Sequence, residues 1–185
     1  MAILRVPTEG LELTAPEAIA ERVRPWGVEF ARWAAERPLA HDAAADDVLA
    51  AYAPQLDELK RRGGYTTADV VDLKPDTPNL QAMLDRFKAE HFHDEDEVRF
   101  TLVGHGVFHL HPRGGPLASI EVGSGDLIRL PRGIWHWFDL CGDRRIRAIR
   151  LFQNKEGWTP HYTGSGVEQG AQPVCLGAPT HLAAR

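Results

Sequence analysis

The sequence is poor in cysteine and has no long apolar run. Its 2 cysteines, Cys141 and Cys175, are too few and too widely separated to suggest a disulfide framework. No apolar segment reaches the length of a membrane span, and residues 1–18 lack the apolar core of a signal peptide. These absences argue against membrane proteins and disulfide-rich secreted domains. We therefore expect a soluble, cytoplasmic protein in a reducing environment.

The chain also has no large excess of charge of one sign. Its formal net charge of -5 argues against nucleic acid or an anionic membrane surface as a partner. A content of 43% hydrophobic and 25% charged residues is typical of a globular protein with a sizeable core. The length of 185 residues predicts one domain.

The first half of the sequence favours helices. Residues 43–62 and 79–89 each carry apolar side chains at spacings of three and four, which predicts two helices. Short strands are predicted at residues 2–6 and 27–33. We expect a helix-rich part over residues 1–89 that covers a sheet.

The pattern changes at residue 90. Up to residue 152, short alternating segments are separated by Gly and Pro turns, which predicts a β-sandwich or small barrel. Residues 165–185 are rich in Gly, Pro and Ala and are predicted to be irregular. We therefore predict one mainly β domain over residues 1–164, with its β part at residues 90–164, followed by an irregular tail.

One segment, EHFHDEDEVRF, carries candidate metal ligands. Successive side chains on a strand point to opposite faces, so His91 and His93 project together. Glu97 and Arg99 keep the same parity, and His136 follows a Pro-x-Gly turn further along the chain. Three imidazoles and one carboxylate leave two positions of an octahedral ion open, which suits Fe(II), Ni(II), Co(II) or Mn(II). The alternative is that these histidines lie on a solvated strand beside an acidic run.

Two blocks of sequence resemble the signature motifs of the cupin superfamily. The first reads His91-x-His93-x-x-x-Glu97 with Gly104 after it, and the second reads Gly125, Pro131-x-Gly133-x-x-His136. The resemblance implies a double-stranded β-helix, or jelly-roll barrel, whose metal ligands are His91, His93, Glu97 and His136. One departure is Asp85, which stands where the first motif usually opens with Gly.

Three longer segments resemble acireductone dioxygenases: Gly64–Phe100, Ile128–Leu140 and Ala148–Gly164. The resemblance implies one Fe(II) or Ni(II) per chain, a monomer, and a role in methionine salvage. The substrates would be O2 and 1,2-dihydroxy-5-(methylthio)pent-1-en-3-one. The iron form of the family yields formate and 4-methylthio-2-oxobutanoate, and its nickel form yields 3-methylthiopropanoate, formate and carbon monoxide.

The same resemblance suggests roles for three further residues. Arg99 would stabilise the anionic substrate, as a guanidinium two positions beyond a ligand can. Phe138 and Trp158 resemble family positions that contact the substrate, although buried aromatics more often belong to a core. Another metal-dependent cupin enzyme and a non-enzymatic metal-binding sensor remain alternatives.

Overall fold

Two antiparallel β-sheets and four α-helices form the body of the molecule. The computed structural model describes residues 1–34, 39–40, 42–154, 158–171, 174–175 and 178–179. The helices are α1 (Pro16–Val23), α2 (Ala45–Ala51), α3 (Ala53–Gly63) and α4 (Leu80–Asp85). The strands are β1 (Ile3–Val6), β2 (Leu11–Leu13), β3 (Glu29–Arg32), β4 (Thr67–Leu73), β5 (His91–Phe92), β6 (Glu97–Gly104), β7 (Gly106–His111), β8 (Ala118–Val122), β9 (Asp126–Leu130), β10 (Trp135–Leu140), β11 (Ile146–Phe152), β12 (His161–Tyr162), β13 (Val174–Cys175) and β14 (Ala178–Pro179).

The strand order places sequence-distant segments side by side. The larger sheet has the order β12-β5-β10-β7-β8-β1-β2, and the smaller one has the order β3-β9-β6-β11-β4. In the larger sheet, His136 of β10 lies directly opposite His91 of β5. The N-terminal segment supplies two strands to each sheet, so it builds the sheets as well as covering them.

Strand β6 shows how the smaller sheet divides its side chains. Val98 and Phe100 are fully buried and pack in a cluster with residues of α2 and α3 on the outer face. Glu97 and Arg99 alternate with them and therefore point towards the larger sheet. A second cluster fills the space between the sheets, and its members include Leu4, Phe108, Leu110, Ile120, Ile128, Leu130 and Phe138.

The predicted single helix over residues 43–62 is wrong, because the segment forms α2 and α3. Tyr52 lies between them with φ -114° and ψ 14°, outside helical geometry, and Pro54 lies in the first turn of α3. Proline has no N–H to donate and disrupts a helix interior, whereas it is tolerated in the first turn. Helix α2 therefore ends before Tyr52, and α3 begins at Ala53 with the proline in its first turn.

The helix predicted over residues 79–89 is shorter than expected and ends at Asp85. Two residues beyond that end, the carbonyl of Phe87 accepts a hydrogen bond of 2.9 Å from the N–H of Phe138 in β10. That hydrogen bond attaches the backbone at Phe87 to β10 of the larger sheet, four residues before β5 begins.

Cys141 and Cys175 form a disulfide, although two widely separated cysteines did not suggest a disulfide framework in the sequence. They are 34 positions apart in sequence, and their Cα atoms lie 5.6 Å apart. The tail predicted to be irregular contains a short 3-10 helix at Val167–Gly170 and the antiparallel pair of strands β13 and β14. Its residues 172–173, 176–177 and 180–185 lie outside the described residues.

No helix in the described part of the chain combines the length and apolarity needed to cross a membrane.

Candidate metal centre

Four buried side chains converge between the two sheets. They are His91 from β5, His93 just beyond it, Glu97 at the start of β6 and His136 from β10. One nitrogen or oxygen atom from each of the four lies within 4.8 Å of the others. The structure thus brings together all four predicted ligands, including the one most distant in sequence.

Backbone carbonyls fix the orientation of all three imidazole rings. Nδ1 of His91 lies 2.7 Å from the carbonyl oxygen of Ala89, and Nδ1 of His136 lies 2.9 Å from that of Ile134. Nδ1 of His93 lies 2.9 Å from the carbonyl oxygen of Thr159. A carbonyl only accepts, so each Nδ1 must carry the proton and each neutral ring presents a bare Nε2. This second set of partners is typical of metal-binding histidines.

The inward-facing atoms have the chemistry of a cation site. Oε2 of Glu97 lies 3.1 Å from Nε2 of both His93 and His136. Nε2 of His91 is buried and has no hydrogen-bond partner among the described residues. With every Nδ1 protonated, the Nε2 atoms and the carboxylate are all acceptors, and a divalent cation satisfies them together. The residues therefore fit a metal.

The electrostatics keep His91 and Glu97 in their ligating forms. Burial, reinforced by the nearby His136, lowers the pKa of His91 to about 3. Burial alone would raise the pKa of Glu97, but the charge of the adjacent Arg99 guanidinium opposes that effect, and the pKa of Glu97 lies well below its usual value. Neutral imidazole and ionised carboxylate are the states that bind a metal.

Arg99 lies beside the four-residue cluster with its guanidinium among aromatic rings. Its Nε is 2.7 Å from Oε1 of Glu97, an ion pair whose angle falls outside hydrogen-bond geometry. Burial lowers the pKa of Arg99 and Glu97 opposes that shift, so the guanidinium remains charged. The guanidinium carbon lies 4.9 Å from the ring centre of Phe138 and 5.3 Å from that of Trp158.

A cavity of ≈ 60 Å³ opens next to Arg99. Apart from Arg99 and Arg150 its walls are apolar, formed by Val71, Leu73, Met83, Leu84, Phe87, Phe138, Ile146 and Ala148. An apolar pocket whose lining includes two guanidinium groups suits a small molecule with an anionic head and an apolar tail.

Phe138 and Trp158 lie on two sides of this region. Phe138 shares the inward face of β10 with His136 and lines the cavity. The ring of Trp158 is stacked at 6.2 Å from that of His93, and its Nε1 donates a 3.0 Å hydrogen bond to the carbonyl of Asp96. Trp158 is not among the residues lining the cavity.

Two residues of the acidic run between the ligands, Glu95 and Asp96, are buried, which the sequence did not indicate. Oδ2 of Asp96 accepts 2.8 Å hydrogen bonds from the hydroxyl of Tyr65 and from Nε of Arg129. Oε2 of Glu95 accepts one of 2.8 Å from the N–H of Gln153. Both carboxylates thus anchor the turn between His93 and Glu97, and the alternative of a solvated strand does not apply.

The histidines of the next strand belong to other interactions. His109 is stacked on Trp137 with ring centres 4.5 Å apart and lies 3.0 Å from Asp139. His111 contacts Glu90, and His105 contacts Asp143. They take no part in the four-residue cluster.

Two antiparallel sheets with a three-histidine, one-glutamate cluster between them define a metal-binding protein of the cupin class. The comparisons with known proteins narrow the class to a family. The model of the ARD/ARD' family matches residues 8–160, and the chain belongs to that family, the acireductone dioxygenases.

Individual relatives align with this chain over most of their lengths. The chain is 42% identical to the acireductone dioxygenase of a Picosynechococcus species over 164 residues, covering 89% of this chain and 93% of the relative. It is 45% identical to that of Gluconobacter oxydans over 157 residues, covering 85% and 83%. A solved structure of acireductone dioxygenase from Bacillus anthracis, with a cadmium ion in the active centre, superposes with a TM-score of 0.79. It is 32% identical, with 88% of this chain and 98% of that chain covered. The predicted cupin fold is confirmed.

Proposed function

We propose that this chain cleaves an acireductone, 1,2-dihydroxy-5-(methylthio)pent-1-en-3-one, with O2 in methionine salvage. The observation that carries the proposal is the cluster of three Nδ1-tethered imidazoles and one carboxylate beside a buried guanidinium and an apolar cavity. Membership of the acireductone dioxygenase family supports the choice of substrate.

In this proposal His91, His93, Glu97 and His136 hold one divalent ion per chain. The cadmium in the active centre of the Bacillus anthracis protein supports a divalent metal. When bound, the metal supplies Lewis acidity that stabilises the enediolate and orients it towards O2. Four protein donors leave room for a substrate that chelates through two oxygens.

The neighbouring side chains bind and orient the substrate. Arg99 stabilises the negative charge of the enediolate and of the oxygen atoms as charge develops on them. Phe138 presents an apolar surface to the methylthio tail from the cavity wall. Trp158, stacked on His93 and hydrogen-bonded to the carbonyl of Asp96, limits the space available on that side and excludes water.

We propose Fe(II) or Ni(II) as the ion, residues 1–164 as the functional domain, and a cytoplasmic monomer as the active form. The donor set accepts both metals, and the general order of affinities favours nickel over iron. The identity of the ion would decide between 4-methylthio-2-oxobutanoate and 3-methylthiopropanoate with carbon monoxide as products.

The test is to load apo-protein anaerobically with Fe(II) or Ni(II) in parallel, add the acireductone and O2, and identify the products. We expect one ion per chain, formate with both metals, and carbon monoxide with Ni(II) alone. Glu97→Ala and His136→Ala provide controls that should lose both the metal and the products. A protein that binds one ion yet forms no product with either metal would contradict the proposal and favour a sensor.

A further inference from the structure

The C-terminal segment pairs with the outer edge of β5, the strand that carries His91. We call residues 161–171 and 174–175 the strap. Tyr162 in β12 is paired opposite His91 in β5, and the N–H of Thr163 donates a 3.1 Å hydrogen bond to the carbonyl of Glu90. The family model ends at residue 160, so the strap lies beyond the part of the chain that it matches.

Glu90 is the point where the strap meets the candidate metal centre. Its side chain is buried, with only 1% of the residue exposed, and it immediately precedes His91. Oε2 accepts hydrogen bonds of 2.5 Å from the hydroxyl of Thr163 and 2.6 Å from that of Ser165. Oε1 lies 2.5 Å from Nδ1 of His111. A buried carboxylate is costly without such partners, so the strap holds Glu90, and with it the start of β5, in place.

The disulfide fastens the other end of the strap. Cys141 directly follows β10, the strand of His136, and Cys175 lies in the strap. Both are buried and form a small apolar cluster with Val107. Nη1 of Arg5 adds a 3.3 Å hydrogen bond to the carbonyl of Val174. The Cα separation of 5.6 Å lies in the ordinary range for a disulfide.

We propose that the Cys141–Cys175 disulfide is a redox-controlled fastening of the strap, and that the fastened strap positions His91 through Glu90. The proposal rests on the metal site of the proposed function. Disulfides in proteins of reducing compartments are commonly redox-sensing, which suits a cytoplasmic enzyme. A small dithiol would transfer two electrons to the disulfide and become a disulfide itself, while Cys141 and Cys175 each end as a thiol with one of its protons.

Once reduced, the strap is held only by non-covalent contacts and opens more often. Glu90 then loses the hydroxyls of Thr163 and Ser165 in the open state, and β5 loses its outer neighbour β12. We therefore expect the metal to leave the reduced protein faster. The ligands themselves are unchanged, so binding is weakened without being abolished.

The experiment compares full-length oxidised wild type, wild type reduced with a phosphine that is then removed, Cys175→Ala and Cys141→Ala. Each is loaded with Co(II), and loss of the ion to excess EDTA is followed by its visible absorption. Hydrogen exchange over residues 161–171 reports on the strap itself. Because one or two hydrogen bonds are lost, we expect Co(II) to leave about threefold to tenfold faster, with faster exchange, in all three disulfide-free forms.

A second set of variants keeps the disulfide and removes the contacts to Glu90. Thr163→Val combined with Ser165→Ala should speed Co(II) loss and alter the Co(II) absorption bands while exchange in the strap changes little. Thr163→Ser should restore wild-type behaviour because it keeps the hydroxyl. Thr8→Val, at an exposed threonine, is the matched control.

The outcomes separate this proposal from the one on which it rests. Unchanged Co(II) loss in the disulfide-free forms, or unchanged exchange in their straps, would overturn the redox-controlled fastening. Failure of oxidised wild type to bind Co(II) would contradict the proposed metal site instead, and exchange alone would then decide whether the disulfide fastens the strap.

Discussion

At the scale of single residues, the candidate site depends on which nitrogen of each imidazole carries the proton. The carbonyls of Ala89, Ile134 and Thr159 settle that question for the three rings, since each accepts from an Nδ1–H. Any residue offers a carbonyl at these positions, so the sequence gives no sign of the tethers. It does reveal the ligands, because strand parity and motif spacing are local properties.

Arg99→Ala should keep the metal and lose most turnover. The four donors remain, whereas the positive charge beside the substrate disappears, and removal of one such group typically costs about 10²–10³-fold in kcat. Metal content per chain and formate release measure the two effects separately. Arg61→Ala, at an exposed arginine of α3, is the control and should leave both unchanged. Full turnover in metal-loaded Arg99→Ala would remove Arg99 from the mechanism.

Tyr65 predicts a pH dependence of folding stability. Burial, together with the hydrogen bond to Asp96, raises the pKa of Tyr65 to about 12 from a value of 10.0 when unperturbed. The folded-state pKa is the higher one, so this contribution is fully present below pH 10 and is lost as the pH rises through 12. The loss amounts to about 2–3 kcal/mol.

Urea unfolding of wild type and Tyr65→Phe from about pH 7 to about pH 12 tests this expectation, using steps of about one unit. The variant should be less stable at neutral pH by about 1 kcal/mol, since it lacks the hydrogen bond to Asp96. Its stability should then fall less steeply above pH 10 than that of wild type. Parallel curves would show that Tyr65 does not titrate as described.

At the scale of elements, β6 contributes side chains to both of its faces, one packed on the helices and the other directed at the candidate site. Its apolar residues Val98 and Phe100 pack on the helices, while Glu97 and Arg99 face the site. A shift of the strand by one residue would bury the wrong set, so its pairing with β9 and β11 fixes the site as well as the core.

A side chain added at Gly104, at the end of β6, would meet a steric clash that one added at Gly114 would not. Both have positive φ, +80° and +74°, but a Cβ on Gly104 would clash with the backbone oxygen of Arg145, whereas one on Gly114 would meet no atom of the described residues within 4 Å. Gly114→Ala should cost about 1–2 kcal/mol from backbone strain alone. Gly104→Ala should cost about 1–3 kcal/mol more, because the neighbouring strand must move. Urea unfolding measures both, and equal costs would contradict this account.

Element type was more predictable than element extent. The apolar periodicity before residue 63 correctly indicated helix, but it did not show that Pro54 would restart the helix after Tyr52. The helix before β5 was predicted too long because a tertiary hydrogen bond at Phe87 draws the backbone into the larger sheet. In both places a single residue or bond outweighed a periodic pattern.

At the scale of the whole molecule, several of the missed features join distant parts of the chain. Asp96 accepts hydrogen bonds from Tyr65 and Arg129, which are 31 and 33 positions away. Cys141 forms a disulfide with Cys175, which is 34 positions away. Such pairings depend on the order of strands in the sheets, which periodicity cannot supply. The ligand set was predictable because its two motifs are each local and have a recognisable spacing.

The central claim is that this chain, with a metal ion bound at the candidate site, uses O2 to cleave an acireductone and release formate. The most direct measurement is formate released per O2 consumed by Fe(II)-loaded protein, against apo-protein in the same substrate solution. We predict one formate for each O2, at a rate proportional to bound iron. Formate release no faster than in the apo-protein sample, with the site fully loaded, would contradict the claim.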